Sequence, residues 1–147
     1  MDKYLYFAYG SNLNVEQMKH RCPEAVGISA AVLHGWKLAE RRFADIVECA
    51  AACVNGALYE ITANDLAALD SYEGYPDFYT RRIVTVSDAD GRLRDAVVYV
   101  MTAEYGQYLD GEPFSEKYLA GCSAGGEYWG IPNAFAAREA DAPGGRA

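Results

Sequence analysis

The chain has 147 residues, enough for one domain with a single real core. Its apolar content of 51% is that of a globular protein, and its formal net charge of −8 argues against a nucleic-acid partner, which needs a basic patch. No uncharged run is long enough to span a membrane, and Met1-Asp2-Lys3 leads into a tyrosine-rich stretch rather than an apolar signal core, so a cytoplasmic protein with no membrane partner is expected.

Tyr4 to Ala8 is apolar and aromatic without a charge, which predicts a buried strand. The run stops at Gly10-Ser11-Asn12. Glycine opens backbone angles closed to other residues, so successive N–H groups can turn into one concavity. Asn14, with Gln17 three residues on, predicts a capped helix start. Strand, turn and helix N-terminus together offer a place for a small anion. On strand and turn chemistry alone a plain capped turn is the favoured reading, since no complete phosphate-loop pattern is present.

Asn14 to Arg21 predicts a short amphipathic helix stopped by Cys22-Pro23. Val26 to Phe43 predicts one long or two short strands, broken near His34-Gly35, with His34 at a turn or rim. Ile46 to Cys53 is small and apolar; Asn55-Gly56 predicts a turn and Ala57 to Ile61 a strand. Thr62 to Asp65 predicts a capped helix start, Leu66, Leu69 and Tyr72 share a helical face, and Gly74 ends the helix. Glu73 then lies in the last turn, where the helix dipole raises a carboxyl pKa.

Tyr79 to Ser87 and Leu93 to Thr102 predict a hairpin around Asp88-Ala89-Asp90-Gly91. Glu104 to Pro113 reads as a loop. Phe114 to Trp129 reads as a helix capped by Ser115 and weakened or broken at Gly125-Gly126. One domain over residues 1–141 and a frayed tail from Ala142 to Ala147 are expected. Four cysteines form no C-x-x-C pair, and nothing completes a zinc set around His20 and Cys22, so reduced thiols are expected. The strand and hairpin count predicts an α+β fold with an antiparallel or mixed sheet.

Two stretches carry a resemblance. Phe7-Ala8-Tyr9-Gly10-Ser11-Asn12-Leu13 and Leu69-Asp70-x-x-Glu73-Gly74, with Tyr118 before Gly130-Ile131-Pro132, resemble the gamma-glutamylcyclotransferase-like family. Similar chains often carry proline where this one has Glu48. The resemblance implies a small, nearly closed β-barrel-like sheet flanked by helices, with substrate at one mouth. It also implies cyclisation of a gamma-glutamyl amide to 5-oxoproline, with release of the amine.

That reaction needs no cofactor: the nucleophile is tethered, and well-oriented intramolecular attack is worth about 7–11 kcal/mol. Glu73 is the candidate base. The N–H groups of Gly10, Ser11, Asn12 and Leu13 can meet the oxyanion or the α-carboxylate, and Tyr9 and Tyr118 are candidate wall hydroxyls. The expected partner is a small gamma-glutamyl substrate. Asp110, Glu112 and the net charge point to a cationic leaving group, with glutathione-like or plain dipeptide substrates as the alternative and the pocket for the leaving group built by Glu104 to Phe114. Two other readings stay open: a binding module without catalysis, and a hydrolase using Ser11, which would need His20 or His34 as partner.

Overall fold

A computed structural model describes residues 2–131 of the chain. The C-terminal tail and Pro132 lie outside the described residues. Five strands close into a barrel in the order β1-β3-β2-β4-β5, where β1 is Lys3–Ala8, β2 Val26–Arg41, β3 Phe43–Thr62, β4 Tyr79–Asp88 and β5 Leu93–Met101. Among the described residues four α-helices accompany them: α1 Val15–Arg21, α2 Ala63–Glu73, α3 Ala103–Leu109 and α4 Glu116–Trp129. The fold is α+β, as expected. No described helix is long and apolar enough to cross a membrane.

All strand pairs are antiparallel except the closing one, where Tyr6 of β1 meets Val97 of β5 in parallel. β1, uncharged from Tyr4 to Ala8, is buried from Tyr6 onward because it lies between β3 and β5. The core fills the barrel with Phe7, Leu58, Ile61, Val86 and Val98, and Leu69 of α2 and Cys122 of α4 seal its flanks.

Three local expectations are corrected. Asn55-Gly56 makes no turn: β3 runs straight through it, with Asn55 opposite Val32 and Gly56 opposite Ala31. An Asn-Gly pair turns a chain only when its flanks pair with each other. Here the first half of β3 pairs with β2, and the second half is shared by β2 and β1. Gly56 is glycine because a Cβ there would strike the Ala8 carbonyl and the Phe7 ring. The real turn is at Arg42, in the left-handed region with φ 64°. The second correction is α3, a helix capped by Thr102 within the stretch read as loop. The third is α4, which continues unbroken through Gly125-Gly126.

Val26–Arg41 is one strand, with a register shift between His34 and Trp36 in place of a break. Glu48, at the position where similar chains often have proline, pairs with Trp36 within β3. All four cysteines are free, with Cys22 and Cys122 buried.

Candidate active site

The stretch after β1 forms a single 3-10 turn, Ser11–Leu13. The Leu13 N–H donates to the Gly10 carbonyl (3.0 Å) and the Asn14 N–H to the Ser11 carbonyl (3.1 Å). The N–H groups of Ser11 and Asn12 donate to no described residue. These are the first orphan donors of a helical turn, the groups that meet an anion most readily. Gly10 has φ −127°, so a left-handed backbone is not what requires glycine. The reason is close approach: a Cβ would lie 3.1 Å from both the Ala44 Cβ and the Tyr118 hydroxyl.

Two contacts hold the turn from behind. Trp129 of α4 donates its indole N–H to the Leu13 carbonyl (3.1 Å), and the Tyr59 hydroxyl donates to the Asn12 carbonyl (3.0 Å). Asn14 caps α1 by accepting from the Gln17 N–H, as its position predicts.

On the other side, α2 delivers Glu73. Thr62 and Asp65 form a reciprocal capping box at its start, and Gly74 ends it in the left-handed region at φ 69°. Asp70, one turn before Glu73, clamps the helix end to the barrel. Its carboxylate accepts from the Tyr99 hydroxyl (2.6 Å) and pairs with Arg81 Nε (3.0 Å). The Leu-Asp-x-x-Glu-Gly pattern is therefore one device: Leu69 buries, Asp70 anchors, Gly74 stops, and Glu73 is presented.

The Glu73 carboxyl makes no hydrogen bond or ion pair with any described residue. Burial pushes its carboxyl up to about 7, and the Arg21 charge pulls the other way. Withdrawal from water, rather than the helix dipole, is the main cause.

Both halves open into one cavity of about 750 Å³. Tyr9, Gly10, Ser11, Asn12, Glu73 and Tyr118 all line it. Leu13 does not: its side chain is in the core, and its N–H is engaged by Gly10. Tyr9 donates to the Tyr99 carbonyl (2.7 Å), and the Tyr118 hydroxyl accepts from the Ala44 N–H (2.9 Å).

Asp110 and Glu112 are absent from the wall, paired instead with Arg41 (2.9 Å) and Arg42 (3.6 Å). Of the Glu104–Phe114 stretch only Tyr105 reaches the cavity. Among the described residues the charged ones that line it are Arg21, Lys117 and Glu73, so acidic steering of a cationic leaving group has no support from them. The sequence reading missed Tyr6 and Arg21. Arg21 stands four residues after Gln17, on one face of α1, and that spacing was the available signal.

Residues 6–120 match the family model "Gamma-glutamyl cyclotransferase, AIG2-like". The chain belongs to this family. A gamma-glutamylcyclotransferase from Bos taurus is 31% identical over 144 residues, covering 89% of this chain and 74% of that one. The Mus musculus gamma-glutamylcyclotransferase is 27% identical, covering 91% and 76%. Among solved structures, a gamma-glutamyl cyclotransferase superposes with a TM-score of 0.79 at 27% identity, covering 89% of this chain and 82% of that one. An uncharacterised Homo sapiens protein superposes at 0.81, also 27% identical, covering 90% and 83%. The cyclotransferase family is thus matched in sequence and in barrel.

Proposed function

We propose that this protein cyclises the gamma-glutamyl group of a gamma-glutamyl amine, amino acid or peptide to 5-oxoproline and releases the amine. The observation that carries the reading is Glu73: a half-buried carboxyl, raised to about 7, with no partner among the described residues, on the wall of the cavity that Ser11 and Asn12 also line. A structural carboxylate would be paired; a proton carrier must be free.

In this mechanism the substrate's α-ammonium gives a proton to the Glu73 carboxylate. The freed amine attacks the γ-carbonyl carbon, and the carbonyl oxygen becomes an oxyanion. The C–N bond to the leaving amine then breaks. The attacking nitrogen loses its second proton as it becomes the lactam N–H, the oxyanion re-forms the carbonyl, and the two protons shed by that nitrogen pass to the leaving nitrogen, at least one of them through Glu73. The Ser11 and Asn12 N–H groups offer donors for the oxyanion or the α-carboxylate.

A water-using hydrolase is less well supported. Ser11 as nucleophile needs a base, and both His20 and His34 are exposed and off the cavity wall.

The test is a matched pair of substrates. A panel of gamma-glutamyl amines and dipeptides with free α-amines should yield 5-oxoproline, detected by mass spectrometry. The α-N-acetylated versions should yield nothing, because the nucleophile is blocked. Free glutamate from the unblocked substrate, or N-acetylglutamate from the blocked one, would mean that water is the nucleophile.

A further inference from the structure

Four tyrosines of the cavity wall are buried: Tyr6, Tyr9, Tyr79 and Tyr99. Three have engaged their hydroxyl hydrogens. Tyr9 donates to the Tyr99 carbonyl, Tyr79 to the Ala44 carbonyl (2.9 Å) and Tyr99 to Asp70. Tyr6 is different, and a chain of three residues makes it so.

Arg21 begins the chain. A guanidinium can only donate, and its Nη1 lies 3.0 Å from Asn12 Oδ1. This fixes the Asn12 amide, which is 3% exposed and has no room for ambiguity. Its NH2 group must face the other way, and Nδ2 donates to the Tyr6 hydroxyl oxygen at 3.0 Å. The Tyr6 oxygen is therefore an acceptor on its protein side. Its own hydrogen has no acceptor among the described residues and is left for the cavity. Burial and the nearby Glu73 charge hold the Tyr6 proton far above the ordinary tyrosine range, so the group stays a donor across neutral pH. Donors in such a series polarise one another, and the guanidinium at its head is charged.

We propose that Tyr6 donates a hydrogen bond to the substrate's γ-carbonyl oxygen as that oxygen gains charge, with Asn12 and Arg21 as positioning residues that aim the hydroxyl. The assignment rests on the cyclisation reading above. The γ-carbonyl oxygen gains negative charge as the amine attacks, so its need for a hydrogen-bond donor grows during the reaction. A polarised, pre-aimed hydroxyl serves it best because it needs no reorganisation at that moment.

The experiment uses the full chain, Tyr6→Phe, Asn12→Asp and the double variant, with turnover, thermal melting and calorimetric binding of 5-oxoproline. The lactam keeps the carbonyl oxygen in question. Tyr6→Phe should lower kcat by about 10²-fold, the usual cost of one oxyanion donor, with KM changed by less than about threefold. Its affinity for 5-oxoproline should fall roughly 3- to 10-fold, as for one neutral hydrogen bond.

Asn12→Asp is the diagnostic. The new carboxylate keeps Arg21 with one oxygen and takes the Tyr6 O–H with the other, turning the hydrogen away from the cavity. It should lose kcat like Tyr6→Phe although the hydroxyl is still present. The double variant should then be no more than about threefold worse than either single one.

Unchanged kcat in Tyr6→Phe, or a loss confined to KM, overturns the proposal and leaves cyclisation standing. If Tyr6→Phe does not fold, wild-type turnover by Asn12→Asp overturns it. If the unaltered protein forms no 5-oxoproline, the cyclisation reading fails. Tyr6 is then judged by calorimetry alone, and equal or absent binding of 5-oxoproline by the two proteins overturns its assignment as well.

Discussion

Glu73→Gln should lower kcat by about 10²- to 10⁴-fold, the range of general acid–base catalysis, while substrate still binds. Glutamine keeps the size and much of the hydrogen bonding but cannot take the ammonium proton. Two pH dependences accompany the loss. With its carboxyl at about 7, the unaltered protein should gain activity as pH rises through that value, and the residual activity of the variant should lack this limb.

Stability runs the opposite way. The folded-state pKa is raised from 4.5, so between those values the folded chain holds a proton that the unfolded chain does not. The contribution of Glu73 to stability is full below about 4.5 and is lost as pH rises through about 7. Above that pH the glutamine variant should match or exceed the original protein, by an amount on the order of 1–3 kcal/mol. Thermal melts at low and high pH, beside the pH–rate profile, check both signs. Normal turnover by the variant would place the proton transfer on another group.

Gly125→Ala should damage fold and site together. A Cβ at this position would overlap the Leu13 carbonyl carbon and the Asn14 nitrogen, both backbone atoms that cannot turn aside. Either α4 lifts or the 3-10 turn moves. Overpacking of this kind costs about 1–3 kcal/mol, less the roughly 0.5–1 kcal/mol that alanine gains over glycine in a helix. A melting temperature lower by a few degrees follows, since about 1 kcal/mol moves a chain of this size by roughly 2–4 °C. Turnover should fall further than stability alone implies, because the displaced atoms adjoin the free Ser11 and Asn12 N–H groups. Gly121→Ala, on the same helix, meets no atom within 4 Å and should raise the melting temperature instead. If both substitutions stabilise, α4 does not press on the turn as described.

The legibility of this chain follows how local each signal is. The strand from Tyr4, the Asn14 cap, the Thr62 capping box, the Gly74 stop and the β4–β5 hairpin all rest on residues a few positions apart, and each is where the sequence puts it. Asn55-Gly56 misled because the partner of that strand lies some twenty residues upstream, beyond any local window. Gly125 read as a helix breaker because propensity sees only the helix, whereas the glycine is there for the neighbouring turn. Asp110 and Glu112 read as cavity acids because composition does not show that Arg41 and Arg42 already hold them. Tyr6 was indistinguishable from eleven other tyrosines until hydrogen-bond direction singled it out.

The strand that carries the site is also the strand that closes the barrel, and this bears on how the molecule assembles. The bonds that fix the Gly10–Leu13 stretch and its flanking Tyr9 span 47, 90 and 116 residues of chain. The β2–β3 and β4–β5 hairpins need only short loops to close, whereas β1 can dock only after β3 and β5 exist. Loop-closure entropy therefore orders the steps: hairpins early, β1 and its turn late. In pulse-labelled hydrogen exchange during refolding, the amides of β4 and β5 should gain protection before those of β1. The strand of this barrel that is synthesised before the other four would then be among the last to take its shape, and a chain that has not yet closed would have no site with which to bind its substrate.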